Sequence, residues 1–144
     1  MIRTQSPDLY RARSLYKNGV STIEDIPRTA RARFRMLNYY SAILDLALSI
    51  MAIDGRKVVG ADHHKEAIDY LSAKGFTAQE ISLLQNLRFI RNDIQYYGTK
   101  SEDELEGFFA FHKEAIELAI TKVASIAKLC ETVPRDSPAE KTRR

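Results

Sequence analysis

The sequence predicts an all-α protein, an up-and-down four-helix bundle preceded by a short N-terminal helix. Apolar residues recur at helical spacing along most of the 144 residues, and no segment shows the sustained alternation that marks a β-strand. A chain of this length buries a sizeable core without metals or disulfides, so we expect one domain over residues 1–132. Residues 133–144 carry prolines, alternating charges and no apolar pattern, which predicts a disordered basic tail.

The elements before the first long helix are predicted to be short. Apolar residues from Leu9 onward indicate a first helix, which Asn18-Gly19 should end because glycine favours the left-handed conformation of a helix terminus. A second small element over residues 21–26 should end before Pro27.

The second helix is predicted to run from about Thr29 to Ile53, where Asp54-Gly55 provides the stop. Its apolar residues form two adjacent stripes. One stripe contains Leu37, Tyr40, Leu44, Ala47 and Met51, and the other contains Met36, Tyr39, Ile43, Leu46, Ile50 and Ile53. A helix that is apolar over so wide an arc lies at the centre of a bundle or in a subunit interface.

Three further helices follow. Residues 62–73 predict a third helix, which Gly75 should end. The fourth and fifth helices each open with a capping box, in which a Ser or Thr and a Glu three residues later bond each other's backbone. These pairs are Thr77 with Glu80 and Ser101 with Glu104. The fourth helix is expected to end before Gly98, and the fifth to reach Ala127.

Positive charge is concentrated at the N-terminal end of the chain. Residues 1–35 hold eight Lys or Arg against three Asp or Glu, whereas residues 36–132 hold ten basic and fourteen acidic side chains. Arg28, Arg31 and Arg35 are three and four residues apart, so a helix through them would carry one basic stripe. Such a stripe could hold RNA phosphates, be a solvated face, or pair with the acidic segment of a partner.

Cysteine usage and hydropathy favour a cytoplasmic protein. The single cysteine, Cys130, excludes an internal disulfide and leaves too few thiols for a structural zinc site. The first residues contain no apolar leader, and the longest apolar tract, residues 42–53, is shorter than the roughly 20 residues of a membrane span. We therefore expect no membrane partner, and we also expect no cofactor.

Polar groups are concentrated in residues 91–98, RNDIQYYG, at the end of the fourth helix. A packed helix ordinarily carries few such groups on its inner side, so this phrase is the main candidate for a functional site. With one preceding arginine, the candidate ligand-binding residues are Arg88, Arg91, Asn92, Gln95, Tyr96 and Tyr97.

Three features in this order resemble the HEPN superfamily of small helical bundles. They are the phrase NYYSAILDLA at residues 38–47, the phrase LRFIRNDI at residues 87–94, and the acidic cap that opens the last helix. The resemblance covers roughly residues 9–127. It implies a helical bundle, a homodimer with the polar motif at its cleft, and metal-independent ribonuclease activity in many members, often beside a nucleotidyltransferase partner.

The chain departs from the HEPN pattern at the residue that the ribonucleases use as a general acid and base. Their Arg-x(4–6)-His motif places a histidine where this chain has Tyr96, five residues after Arg91. A phenol with an ordinary pKa near 10 accepts a proton poorly at neutral pH, in contrast to an imidazole near 6.5. The histidine mechanism therefore does not carry over, and whether any catalysis survives is left open.

Geometry restricts how these residues could act together. Residues five apart on an ideal helix point about 140° apart, so Arg91 and Tyr96 meet at one ligand only if the helix ends between them or a second subunit contributes. A purely structural interpretation is also available. In it the polar residues cap the helix end, Arg91 pairs with Asp93 or with a carboxylate of the last helix, and the tyrosines pack.

The histidines are weaker candidates. His63 and His64 are adjacent, so on a helix they project about 100° apart and do not bind one metal as an i, i+4 pair would. We expect both to be exposed. His112 on the last helix is expected to be partly buried, and the alternative is that it accepts a proton. No metal site is predicted.

The function predicted from the sequence is binding of RNA, a nucleotide or a partner protein at the polar cleft of a HEPN-like domain without the usual ribonuclease chemistry. The enzymatic alternative is a ribonuclease or toxin-like HEPN protein paired with a nucleotidyltransferase, as in a toxin–antitoxin system. The second alternative is a structural protein-interaction module.

Overall fold

The computed structural model describes residues 1–132, and the predicted disordered tail at 133–144 lies outside the described residues. Most of the described chain is helical, which confirms the all-α class. The α-helices are α1 (Leu9–Asp25), α2 (Ala32–Ile53), α3 (His63–Tyr70), α4 (Ala78–Asn92) and α5 (Glu102–Ala127). A two-stranded antiparallel sheet pairs β1 (Ile2–Thr4) with β2 (Arg56–Val58).

The prediction of a short leading helix was wrong. Helix α1 is continuous over 17 residues, starting where the Asp8 carboxylate accepts a hydrogen bond from the Arg11 backbone N–H at 3.0 Å. Gly19 does not end it but lies buried inside it. A Cβ built on Gly19 would lie 2.8 Å from Cγ of Leu46, so this glycine allows α1 and α2 to approach closely.

Helix α2 begins three residues later than predicted. Arg31 has an extended backbone, so the helix starts at Ala32. The Ala32 backbone N–H donates to the Glu106 carboxylate of α5 at 3.0 Å. This bond satisfies one of the N–H groups that have no partner within the first turn of a helix. The predicted end of α2 is confirmed, since Gly55 has φ +69° immediately after Asp54.

The wide apolar arc of α2 is buried within this one chain, which is the first of the two explanations that the sequence allowed. The largest fully buried side chains on α2 include Tyr40, Met36, Ile43, Leu46, Ile50 and Met51. Helix α2 is also long and apolar enough to cross a membrane, with a mean hydropathy of 1.5, but 61% of its most apolar window is buried inside the protein. This is the pattern of a core helix, and the arc needs no second subunit to cover it.

The small sheet was not predicted. Its strands have three residues each, too few to show an alternating pattern, and Ile2, Arg3 and Thr4 pair with Val58, Lys57 and Arg56. Backbone bonds from Gln5 N–H to Gly55 O and from Val59 N–H to Met1 O extend the pairing at both ends. The sheet ties the N-terminus to the connection between α2 and α3.

The remaining helices follow the sequence signals closely. Both capping boxes are present, and Gly75 adopts a left-handed φ of +93°. The third helix is shorter than predicted, because α3 ends at Tyr70 and a 3-10 turn, Leu71–Lys74, completes it. Helix α5 reaches Ala127 as expected. Helices α3 and α4 pack on one side of α2, and this places the polar end of α4 beside Tyr40.

Candidate functional site

The polar phrase forms a π-turn rather than the end of an ordinary α-helix. After Asn92 the chain widens over Asp93–Tyr97, and the Gly98 N–H donates to the Asp93 carbonyl five residues earlier at 2.6 Å. The Asp93 carboxylate accepts hydrogen bonds from the backbone N–H groups of Thr99 and Lys100 and from the Thr99 hydroxyl. The Thr99 hydroxyl bond is the main cause that lowers the pKa of Asp93. Single π-turns of this kind are frequent at functional sites.

The π-turn brings Arg91 and Tyr96 together within one chain. In an i→i+5 turn, residues five apart share a face, unlike those of an ideal α-helix. The Arg91 guanidinium carbon lies 5.5 Å from the centre of the Tyr96 ring, within cation–π range. The sequence allowed Arg91 and Tyr96 to meet only at a helix end or through a second subunit. In the structure they meet because the helix changes locally from α to π.

Arg91 also contacts α2. Its guanidinium carbon lies 5.8 Å from the centre of the Tyr40 ring, and its Nη1 donates to the Asn92 side-chain oxygen at 3.0 Å. Among the described residues, 1–132, the Nε of Arg91 and the hydroxyl of Tyr40 are both buried and have no hydrogen-bond partner. Buried polar atoms are nearly always hydrogen-bonded, so two such atoms on neighbouring side chains indicate that this place is suited to an additional polar group.

Helix α3 adds a histidine to the same place. The His64 ring lies 6.1 Å from the Tyr40 ring and is half-buried, whereas His63 is exposed. The expectation of exposure was right for His63 and wrong for His64. Burial is the main cause that lowers the pKa of His64, and the positive charges of His63, Arg91 and Arg88 add to it. Burial raises the pKa of Tyr40 to about 12, although Arg88 and Arg91 act in the opposite direction.

Arg88 completes the group, held by a polar network with α3. Its Nε donates to the Gln85 side-chain oxygen at 2.7 Å, and Gln85 Nε2 donates to Asp69 Oδ1 at 2.9 Å. Within residues 1–132, no carboxylate lies within 4.0 Å of the guanidinium nitrogens of Arg88 or Arg91. We call Tyr40, His64, Arg88, Arg91 and Tyr96 the Arg91 cluster.

The purely structural interpretation of residues 91–98, in which the polar residues cap the helix end, is confirmed for one residue. Asp93 caps the connection to α5, as that interpretation required. Arg91 forms no salt bridge with a carboxylate of residues 1–132. Tyr96 and Tyr97 are 65% and 72% exposed, with ring centres 6.4 Å apart. Gln95 is exposed and makes no side-chain hydrogen bond within the described residues.

The basic stripe is separate from the Arg91 cluster and only partly solvated. Arg35 donates to the Tyr39 hydroxyl and to the Arg28 carbonyl, and its guanidinium lies 4.6 Å from the centre of the Phe109 ring. A cleft of about 490 Å³ beside it is lined by Arg28, Arg35, Tyr39, Lys113 and Glu117, among others. Arg31 is exposed and does not line this cleft.

Comparison with models of known protein families, with curated proteins and with solved structures found no significant match. The functional argument therefore depends on the residues themselves.

Sequence reasoning missed two members of the cluster. Tyr40 was assigned to an apolar stripe, and only the contact with α4 shows that its ring lies beside a guanidinium. His64 gave no signal, because its position depends on how α3 packs against α2 and α4. His112, the other histidine considered, lines a cavity between α4 and α5. Among residues 1–132, no three His, Cys, Asp or Glu side chains come together as metal ligands would.

Proposed function

We propose that this chain is a HEPN-like helical domain that binds single-stranded RNA through the Arg91 cluster, without the ribonuclease chemistry usual for that superfamily. The observation that carries the proposal is that two half-buried guanidinium groups, Arg88 and Arg91, both act on Tyr40 and His64, and neither forms a salt bridge within residues 1–132. The carboxylate that interacts with Arg88 is Asp69, to which it is linked through Gln85. The HEPN assignment rests on the sequence resemblance, and the all-α fold with a polar motif at the end of a core-packed helix is consistent with it.

A phosphate is the ligand that fits these groups best. Guanidinium groups pair with phosphate oxygens through parallel N–H donors, and partial burial strengthens that pairing. The unpartnered Arg91 Nε and Tyr40 hydroxyl supply two further donors beside it. Both atoms are closed off from solvent in the free protein, so a phosphate oxygen would pair with them only after a side-chain movement that exposes them.

RNA is favoured over an isolated phosphate because exposed aromatic rings adjoin the cluster. Tyr96 and Tyr97 present their rings to solvent directly after the arginines, where unstacked bases could stack on them. Arg28, Arg35 and Lys113 line a second basic cleft on another side of α2, which offers further phosphate contacts to a longer strand. A free nucleotide, in contrast, would contact only the Arg91 cluster.

The same residues argue against ordinary HEPN catalysis. Tyr96 takes the position of the histidine, and the buried phenol of Tyr40, with a pKa of about 12, stays protonated at neutral pH. Both tyrosines can donate hydrogen bonds, and the raised pKa of Tyr40 makes it a poor base at neutral pH.

The second candidate is a ribonuclease that uses His64, and the observation that favours it is the position of this imidazole beside Tyr40 and Arg91. Its lowered pKa keeps it neutral at pH 7, which is the form that accepts a proton. The resemblance would then suggest a toxin-like protein with a nucleotidyltransferase partner. In either case we place the protein in the cytoplasm.

One experiment separates these functions. The purified protein, Arg91→Ala and His64→Ala are each incubated with a mixed single-stranded RNA pool without divalent metal, and binding and cleavage are measured together. We expect Arg91-dependent binding with intact RNA. Cleavage that leaves a cyclic phosphate and is lost in both variants would replace the binding proposal with the ribonuclease. If wild type neither binds nor cleaves, both candidates are wrong and the protein-interaction module remains.

A further inference from the structure

The cleft of about 490 Å³ beside Arg35 has the size of a small-molecule site. Helices α2 and α5 provide most of its lining. Arg35 and Tyr39 are four residues apart on α2, so their side chains lie on one face of that helix. Lys113, Glu117 and Thr121 repeat the same spacing on α5. We call this cavity the α2–α5 cleft.

The α2–α5 cleft carries a surplus of positive charge. Arg28, Arg35 and Lys113 contribute three cations, and Glu117 is the one carboxylate among the lining residues. Within residues 1–132, none of these four side chains forms a salt bridge. Three cations against one carboxylate leave a formal charge of +2, which a ligand of two negative charges would neutralise.

Arg35 is the member of this group that the fold holds in place. It is half-buried, and its guanidinium carbon lies 4.6 Å from the centre of the Phe109 ring. Its Nη1 donates to the Arg28 carbonyl and its Nη2 to the Tyr39 hydroxyl, each at 3.3 Å. Because Arg28 and Tyr39 also line the cleft, this end of the guanidinium lies at the cleft.

Donors remain available at this end of Arg35. Each Nη nitrogen carries two N–H groups, and within residues 1–132 each makes one hydrogen bond. The Tyr39 hydroxyl accepts from Arg35, so its own proton is available to a ligand. The buried Nε of Arg35 is closed off from solvent, and a ligand would therefore bond the Nη nitrogens.

We propose that the α2–α5 cleft binds the phosphate group of a small phosphomonoester. Such a group carries roughly two negative charges at neutral pH, which matches the cleft, whereas each phosphate of a nucleic acid backbone carries one. Guanidinium groups bond phosphate oxygens through parallel N–H donors, and Lys113 adds a point charge.

The rest of the lining favours a carrier with hydroxyl groups. The Glu117 carboxylate accepts hydrogen bonds, and the Thr121 hydroxyl both donates and accepts them. Ile23 and Ile120 supply an apolar part of the wall. A sugar phosphate has this chemistry, either as a free molecule or as the 5′ end of an RNA.

The α2–α5 cleft is separate from the Arg91 cluster. Tyr39 lines the cleft and Tyr40 contacts Arg91, and adjacent residues of an α-helix project about 100° apart. The inference therefore does not rest on the proposed RNA binding at Arg91. A change at Arg91 should leave the cleft intact.

The test is calorimetric titration of the full chain with ribose 5-phosphate. The cleft variants are Arg35→Gln and Lys113→Ala. The controls are Arg91→Ala and Arg31→Ala, since Arg31 is exposed and does not line the cleft. We expect each cleft variant to raise the dissociation constant about 10-fold or more and both controls to match wild type. Circular dichroism checks folding, and the exposed position of Lys113 keeps the test valid if Arg35→Gln unfolds.

Further probes test the charge and the source of the ligand. The monomethyl ester of ribose 5-phosphate has one charge fewer and should bind about 10-fold more weakly. A short RNA is then compared with and without a 5′-phosphate. Tighter binding of the phosphorylated RNA that Lys113→Ala removes would assign the site to an RNA end, and equal binding of both RNAs would assign it to a free sugar phosphate.

Three results would overturn the proposal. The first is a wild type that does not bind ribose 5-phosphate at about 10 mM, weaker than any specific site of this kind. The second is binding that Arg91→Ala abolishes and folded Lys113→Ala leaves unchanged. The third is equal affinity for ribose 5-phosphate and its monomethyl ester.

Discussion

Arg91 and Tyr40 meet where α4 packs on α2, with the guanidinium carbon 5.8 Å from the ring centre. Each contributes a buried polar atom that finds no hydrogen-bond partner in the part of the chain that the structure describes: Nε of Arg91 and the hydroxyl of Tyr40. Leaving such atoms unpaired has a cost in folding free energy, and a ligand that pairs with them recovers it. The two unpaired atoms therefore lower the stability of the free protein and strengthen the binding of a ligand that pairs with them.

Replacing Tyr40 with Phe should separate those two effects. The hydroxyl has no hydrogen-bond partner within residues 1–132, so we expect Tyr40→Phe to leave the free energy of unfolding unchanged or to raise it by about 1 kcal/mol. The same change should weaken RNA binding, because a donor to phosphate is lost. Urea denaturation and fluorescence anisotropy measure the two quantities. A marked loss of stability would show that the hydroxyl is satisfied within the fold.

The lowered pKa of His64 predicts how stability changes with pH. Burial, with the nearby positive charges, holds the folded-state pKa below the ordinary value of 6.5, so the unfolded chain binds more protons in this range. The contribution of His64 is then present above pH 6.5 and is lost as pH falls through the lowered pKa. We expect the urea midpoint of wild type to fall between pH 7 and pH 5 more steeply than that of His64→Gln. Parallel profiles would contradict this assignment.

The parts of the fold that sequence reasoning predicted correctly are those governed by local signals. The Thr77 and Ser101 capping boxes and the left-handed Gly75 each depend on a few neighbouring residues, and all are present. Gly19 misled the prediction because a glycine that ends a helix and one that allows a close helix contact look the same in sequence.

The candidate site was predictable only in part, for a related reason. Arg88, Arg91 and Tyr96 are close in sequence, so their polar character was visible. Their meeting with Tyr40 and His64 depends on a π-turn and on the packing of three helices, neither of which leaves a periodic signal.

Two glycines within helices should respond in opposite ways to alanine. At Gly19 the new Cβ would lie 2.8 Å from Leu46 Cγ and 3.2 Å from the Ala42 carbonyl oxygen, so we expect Gly19→Ala to lower the free energy of unfolding by about 1–3 kcal/mol. At Gly107 in α5, no atom of the described residues lies within 4 Å of such a Cβ. Gly107→Ala should therefore raise the free energy of unfolding by about 0.5–1 kcal/mol through helix propensity. Chemical denaturation of both variants checks the pair. Equal effects would contradict the close packing of α1 on α2.

The central claim is that the Arg91 cluster binds RNA phosphate. Its most direct test is the affinity for a fluorescein-labelled single-stranded RNA, measured against salt concentration for wild type, Arg91→Ala and the control Arg11→Ala on α1. We expect Arg91→Ala to raise the dissociation constant about 10–100-fold and to reduce the slope of log affinity against log salt by about 1, with Arg11→Ala close to wild type. Equal affinities and slopes for all three proteins, or no binding by wild type at low salt, would contradict the account.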